Sequence, residues 1–303
     1  MVIGIIGNSL VLTAVSRFKS LQTVANAFIV NLAIADLLVC FDLVPYFISI
    51  FAEYSPSMDT MCTFVLIFAH SSIGCSIFTL ASIAVNRFVL ISSPRKYYRI
   101  IFRRKIVIVW IGLLWITAIV ISVVPPFVFN IGKLTYDPIH HWCRSPANYK
   151  TSELYDKVLI YGFIPVPLAI TIVCYVGIFL RLFLHNQAMQ KHSRQSPESL
   201  TERYFTFWRF ISTPNGLVFN RRDNESYRRN ISITKNMFYV LCAYLICCFP
   251  LTICSQVYRV CPIDRLARHI VSFNSAIIPI IYGVNHPQFR QAYIKMLKCE
   301  TTS

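Results

Sequence analysis

The sequence predicts an all-α membrane protein, a seven-transmembrane helix bundle with a short amphipathic helix after the last span. Three observations predict it. The 303 residues are 55% hydrophobic and only 14% charged, whereas a soluble domain interleaves about 25% charge. Apolar runs at the scale of a bilayer core, about 20 residues each, fall near 1–16, 24–52, 61–91, 105–129, 154–184, 232–259 and 264–284. Lysine and arginine are sorted between the intervening segments. Of 29 basic residues, all but Lys133, Arg144, Lys150, Lys157, Arg259, Arg265 and Arg268 lie in 17–25, 92–104, 181–235 or 285–303, or at Arg87 and Lys105. The basic side faces the cytoplasm, so the amino terminus is expected outside and the protein in the plasma membrane. The formal charge of +16 is then a topology signal rather than a nucleic-acid footprint. Clusters such as Arg103-Arg104-Lys105 favour anionic membrane lipids.

The whole chain, 1–303, reads as one domain, and no internal repeat points to a secondary transporter. The first run is short, with Asn8 close to Met1 and Arg17 already ending it. It is expected to be incomplete at its start. A cleaved signal peptide would need basic residues before its apolar core, and here Arg17 and Lys19 come after it. Pro45, Pro125, Pro167, Pro250 and Pro279 interrupt later spans; each removes a backbone hydrogen bond and is expected to bend its helix. Segment 185–231 is the third cytoplasmic loop. Its polar part, Gln187 to Glu202, extends the fifth helix, and its aromatic part, Tyr204 to Phe219, is broken by Pro214-Asn215-Gly216. That part is either a partly disordered loop or a lipid-surface helix. The sequons at Asn224 and Asn230 lie on the cytoplasmic side. In 285–303, Phe289, Tyr293 and Leu297 recur at four-residue steps beside Arg290, Lys295 and Lys298, a helix along the inner membrane surface.

Most of the eleven cysteines sit within spans and act as small apolar residues. Cys62 and Cys143 fall at the outer surface, an oxidising compartment. A bridge between them staples the second outer loop to the third span. Cys254 and Cys261 flank a short outer loop and are candidates for a second bridge. Cys299 follows the amphipathic segment and is either palmitoylated or an ordinary thiol.

Few ionisable groups lie within the spans. Asp36 sits deep in the second, where a bare carboxylate costs roughly 2.5–3.5 kcal/mol. Ser76, Asn274, Ser275 and Asn8 supply oxygens at comparable depth. Either the group holds a hydrated sodium ion, or Asp36 is protonated or hydrogen-bonded without one. Arg87, in Asn86-Arg87-Phe88, closes the third span 25 positions after Cys62. An arginine there must find partners and marks a functional site. Segment 228–236, which opens the sixth span, has no acid to offer it.

Taken in order, Gly7-Asn8, Asn31 to Asp36, Cys62 with Arg87, Trp115, Pro167 with Tyr175, Cys247-Cys248-Phe249-Pro250, and Pro279-Ile280-Ile281-Tyr282 before Phe289 give a chain that resembles a rhodopsin-like (class A) G-protein-coupled receptor over almost its whole length. Asn86-Arg87-Phe88 and Thr135-Tyr136-Asp137-Pro138 are similar to melatonin receptors. The Cys-Cys-Phe-Pro run and His286 to Tyr293 look more like moody-type orphan receptors. The resemblance implies that Arg87 contacts a heterotrimeric G protein in the active state, with Tyr175 and Tyr282 swinging in to support it. It implies a packing switch of Ile77, Pro167 and Tyr244, and arrestin as a further partner. The chain departs from the pattern in two places. Cys248 stands where a tryptophan is usual, and Ile278 replaces a polar residue and weakens the sodium site. Asn86 stands where the pattern has an acid, so the resting state is expected to rely on hydrogen bonds, from Asn86 or Asn230, and on packing.

Ala69 occupies the position that carries an aspartate in amine-binding receptors, which argues against a biogenic amine. No lysine stands between Asp264 and Tyr282 to bind retinal. His70, Arg144, Tyr258, Arg268 and His269 are the outer ligand candidates. Arg144 and Arg268 suit a carboxylate held bidentately, which suggests an anionic, lipid-like or indole ligand; alternatively Arg268 pairs with Asp264 on its own helix face. The leading reading is a receptor and not an enzyme, since no set of residues supports hydrolysis or redox chemistry. A transporter or channel would need more mid-membrane charge than Asp36. A non-signalling receptor-like protein with a scaffolding or trafficking role is the alternative.

Overall fold

A computed structural model describes residues 2–41, 55–93, 95–137, 142–145, 150–193, 234–235, 238–248 and 264–298. The first two predicted spans appear as α1 (Val2–Arg17) and α2 (Val24–Phe41), joined by a 3₁₀ turn at Lys19–Leu21. The third is α3 (Pro56–Ser92), followed by a short α4 (Arg95–Ile101) and the fourth span α5 (Arg104–Val128). A hairpin of β1 (Thr135–Asp137) and β2 (Trp142–Arg144) pairs antiparallel, with Tyr136 opposite Cys143. The fifth span is α6 (Ser152–Phe163) and α7 (Pro165–Ser193). The sixth is described over α8 (Phe238–Cys248), and α9 (Asp264–Asn285) and α10 (Pro287–Leu297) complete the chain.

Three membrane-length apolar helices, Val24–Phe41, Ser57–Ser92 and Arg104–Val128, the apolar stretch Ser152–Leu184 shared by α6 and α7, and three shorter apolar helices fall on the seven predicted spans. Two boundaries differ from expectation. The third helix starts at Pro56 rather than at Cys62, because Pro56 fits the first helical turn, where its missing N–H is not needed. Cys62 therefore lies in the second turn. The fifth span is not one helix over 154–184. It breaks at Ile164, where Pro165 and Pro167 offer no N–H to the carbonyls of the preceding turn, and it then runs on to Ser193. Pro125 and Pro279, by contrast, sit inside continuous helices. Pro45 and Pro250 lie outside the described residues. Neither α4 nor the hairpin was predicted, because both are too short to carry an apolar period.

The third helix is the hub. It packs against α2, α5, α6, α7 and the hairpin, while α1 lies against α2, α9 and α10. Phe28, Leu32, Leu80, Ile83, Tyr244, Ile278, Tyr282 and Phe289 share the main buried cluster. Lipid chains are as apolar as leucine, so close approach and interhelical hydrogen bonds hold such a bundle. A Cβ on Gly7 would lie 2.6 Å from the Pro279 Cβ, which is how closely α1 and α9 meet. The indole of Trp115 donates to Asn31 Oδ1 at 2.9 Å, and Asn31 Nδ2 donates to Thr79 Oγ1 at 2.7 Å. These bonds tie α5, α2 and α3 together. Ile108, Val109, Leu113 and Ile116 on α5 stay exposed, as a lipid-facing surface requires.

Candidate functional site at the inner end of the third span

Arg87 is 4% exposed, and among the described residues its Nε has no hydrogen-bond partner. The guanidinium is within electrostatic range of Tyr98 on α4, Tyr175 on α7 and Tyr282 on α9. Tyr282 stacks on Phe289 with ring centroids 5.7 Å apart, and Tyr175 meets Phe238 edge-on at 5.3 Å. No aspartate or glutamate lies on this side of the bundle among the described residues. Asn86 was expected to restrain Arg87. Its described hydrogen bond instead runs to the Tyr98 hydroxyl at 3.2 Å. Tyr98 in turn stacks on Phe102, and Phe102 on Trp110, at 5.1 and 5.8 Å. The amide therefore links the inner loop to the bundle. Phe88 packs on α7 so closely that a Cβ on Gly177 would come within 2.5 Å of its ring. Just past the inner end of the seventh span, His286 is fully buried against Phe289, with ring centroids 5.0 Å apart. Among the described residues neither of its ring nitrogens has a hydrogen-bond partner. Burial, with the nearby Arg87 charge, pushes the His286 imidazole down to about 4.

Deeper in the bundle, Ser76 Oγ and Ser275 Oγ both donate to Asp36 Oδ1, at 3.3 and 3.2 Å. Asn8 Nδ2 donates to the carbonyls of Gly4 and Ser275, both at 2.9 Å. Asp36 Oδ2, Asn274 Oδ1 and Asn8 Oδ1 are buried without hydrogen-bond partners among the described residues. Asp36 thus takes two hydrogen bonds, and oxygens such as Asp36 Oδ2, Asn274 Oδ1 and Asn8 Oδ1 are the ligand type a hard cation takes. Among the described residues no group of three or more His, Cys, Asp or Glu suits a transition metal.

Residues 7–284 match the family model of the 7 transmembrane receptor (rhodopsin family). The chain belongs to that family. It is a family of multi-pass membrane receptors, not of enzymes. The chain is 24% identical to the G-protein coupled receptor moody of Drosophila melanogaster, over 99% of its own length and 50% of that protein's. It is 27% identical to melatonin receptor type 1B-B of Danio rerio, over 98% of the chain and 78% of that receptor. Squid rhodopsin superposes with a TM-score of 0.77 at 20% identity, covering 100% of this chain and 84% of that one, which bears on the fold alone. The chain thus spans about half the length of moody.

In this rhodopsin-family chain the other residues that the resemblance nominates for a switch are placed as follows. Ile77 and Cys248 both pack against the buried cluster that holds Tyr244. Pro167 is buried, and its carbonyl accepts from Thr171 Oγ1 at 2.7 Å. Ile278 is 1% exposed inside the apolar cluster, so it contributes packing where the pattern has a polar group. On the outer side, Cys62 and Cys143 are disulfide-bonded with Cα atoms 5.1 Å apart. His70 Nδ1 lies 3.2 Å from the Tyr155 hydroxyl, which donates to the Ser122 carbonyl at 3.1 Å. The ring thus joins the third, fifth and fourth spans. Tyr258, Cys254, Cys261, Cys299 and Asn230 lie outside the described residues, as do the side chains of Arg144, Arg268 and His269. Tyr98, Tyr155 and Asp59 were missed by the sequence reading. Tyr98 stands in a basic segment with no apolar period, while Asp59 did carry a signal, three residues before Cys62.

Proposed function

We propose that this protein is a plasma-membrane signalling receptor with its amino terminus outside, whose inner face at Arg87 engages a heterotrimeric G protein. An extracellular ligand shifts a pre-existing equilibrium toward an open inner face, and arrestin takes the same face. The observation that carries this reading is the burial of Arg87 with no acid beside it among the described residues, flanked by tyrosines of the fifth and seventh spans. A buried guanidinium with an unpartnered Nε is costly where it rests. Tyr175 and Tyr282 would follow it when the helices part, a role supported by their proximity to the guanidinium.

Ala69 leaves an amine without a counter-ion, so the ligand is not a biogenic amine. Similarity to a melatonin receptor supports an indole, and Arg144 and Arg268 suit a carboxylate or lipid headgroup. Tyr258 and His269 complete the proposed outer pocket, with His70 shaping its floor through Tyr155. Asp36, Ser76, Ser275 and Asn274 would hold an allosteric sodium ion, a fit supported by the orphaned oxygens around Asp36. The ion would supply a positive charge that favours the resting packing.

The test is ligand-independent nucleotide exchange on purified G proteins by the purified full-length chain in nanodiscs. Exchange above a receptor-free control that is lost in Arg87→Ala is expected. Exchange no faster than the control with every G-protein class would overturn this reading in favour of a non-signalling role.

A further inference from the structure

The second outer loop is fastened to the head of the third span by more than its disulfide. Asp59 lies three residues before Cys62, and its Oδ1 accepts from Thr135 Oγ1 and, at 3.0 Å, from the Tyr136 backbone N–H. Tyr136 is the register partner of Cys143. Carboxylate and disulfide therefore act on the same rung of the hairpin, one on each strand. Thr63 Oγ1 adds a bond to the Leu134 carbonyl at 2.9 Å.

Asp59 has a specific task here. A two-stranded ribbon leaves every second N–H of each strand on an open edge, and a buried N–H without a partner is costly. The Tyr136 N–H points to that edge, and its side chain is only 5% exposed, packed with Met58 and Cys62. A carboxylate that takes two donors is a charge-assisted acceptor, roughly twice as strong as a neutral one. The base of the hairpin is tied separately to the fifth span. Gly132 N donates to Thr151 Oγ1 at 2.9 Å, Lys133 N to Ser145 Oγ at 3.3 Å, and Ser145 Oγ to Ser152 Oγ at 2.9 Å. None of these bonds involves the sulfur atoms of the disulfide.

We propose that Asp59 is a second, non-covalent clasp that keeps the outer hairpin seated on the third span when the Cys62–Cys143 bond is reduced. The outer face then keeps its shape in a reducing medium. The inference rests on the loop geometry alone and is independent of ligand and G protein.

Hydrogen exchange of the 134–144 backbone amides tests it, on the full-length chain in nanodiscs before and after dithiothreitol. Reduced wild type is expected to keep the Tyr136 amide within a few-fold of its oxidised exchange rate. Asp59→Ala is expected to speed that amide roughly tenfold or more when oxidised, and to lose protection across the hairpin once reduced. Asp59→Asn, which leaves an oxygen for the Tyr136 N–H, should stay close to wild type and separates loss of the bond from misfolding. The proposal is overturned if reduced wild type exchanges as fast as reduced Asp59→Ala. It is equally overturned if reduced Asp59→Ala stays as protected as wild type. The wild-type arm needs no substitution, so a poorly folding variant does not spare the claim.

Discussion

The side-chain amide of Asn86 donates a 3.2 Å hydrogen bond to the hydroxyl of Tyr98, joining the inner end of the third span to the short helix that follows it. Asn86 stands where an acid would form an ion pair with Arg87, and here it fixes the loop. The loop is braced further by the Tyr98–Phe102–Trp110 stack. Removing the phenolic oxygen frees both Asn86 and the loop. Tyr98→Phe is therefore expected to raise basal nucleotide exchange two- to tenfold, the equivalent of about 0.4–1.4 kcal/mol in the resting equilibrium and in the range of one hydrogen bond. Basal exchange unchanged at matched receptor concentration would mean the bond has no part in the resting state.

Asp36 leads to a second prediction. Its Oδ1 is held by Ser76 and Ser275, and its Oδ2 is buried and unpartnered. If this layer takes sodium, raising sodium at constant ionic strength lowers basal exchange in wild type. Asp36→Asn removes that dependence. A variant that keeps the wild-type sodium response would exclude the layer as the ion site.

Gly132 is a matter of stability. It sits at φ +83°, and an added Cβ would lie 2.7 Å from the Tyr155 Cβ. Tyr155 is the fully buried centre of the His70–Tyr155–Ser122 network. Gly132→Ala thus meets left-handed backbone strain, on the order of 1–3 kcal/mol, together with a clash. A clear fall in the thermal midpoint of the solubilised receptor is expected, and an unchanged midpoint would contradict the packing.

His286 sets a pH dependence. Its imidazole is held at about 4, against 6.5 for the free side chain, chiefly by burial and secondarily by Arg87. An unfolded chain takes up this proton at higher pH than the folded one. The stability this group contributes is therefore complete above about pH 6.5 and is lost as pH falls toward 4, a loss on the order of 2–3 kcal/mol. Thermal stability between pH 7 and 5 should fall more steeply in wild type than in His286→Phe. Parallel curves would remove His286 as the cause.

The seven spans, the disulfide and the position of Arg87 were legible because each rests on a one-dimensional signal. Those signals are apolar length, cysteines on one side of the membrane, and a charge at the end of an apolar run. The break at Ile164 was half legible. Pro167 was noted, but Pro165, which opens the second of the two helices, was not. The partners of the polar side chains were not legible. Asn86 and Tyr98, or His70 and Tyr155, meet through the crossing of helices far apart in sequence, and no spacing encodes that. Asp59 shows the intermediate case: its place beside Cys62 was readable, but its donors belong to a hairpin that no periodicity announced.

Among the described residues no acid restrains Arg87, and the proposed switch rests on packing and on the Asn86–Tyr98 hydrogen bond beside it. The direct measurement is basal nucleotide exchange by Asn86→Asp against wild type, at matched surface expression and with one purified G protein. A carboxylate at position 86 would pair with Arg87 and also accept from Tyr98, so the account predicts lower basal exchange in the variant. Equal or higher exchange in Asn86→Asp would contradict it.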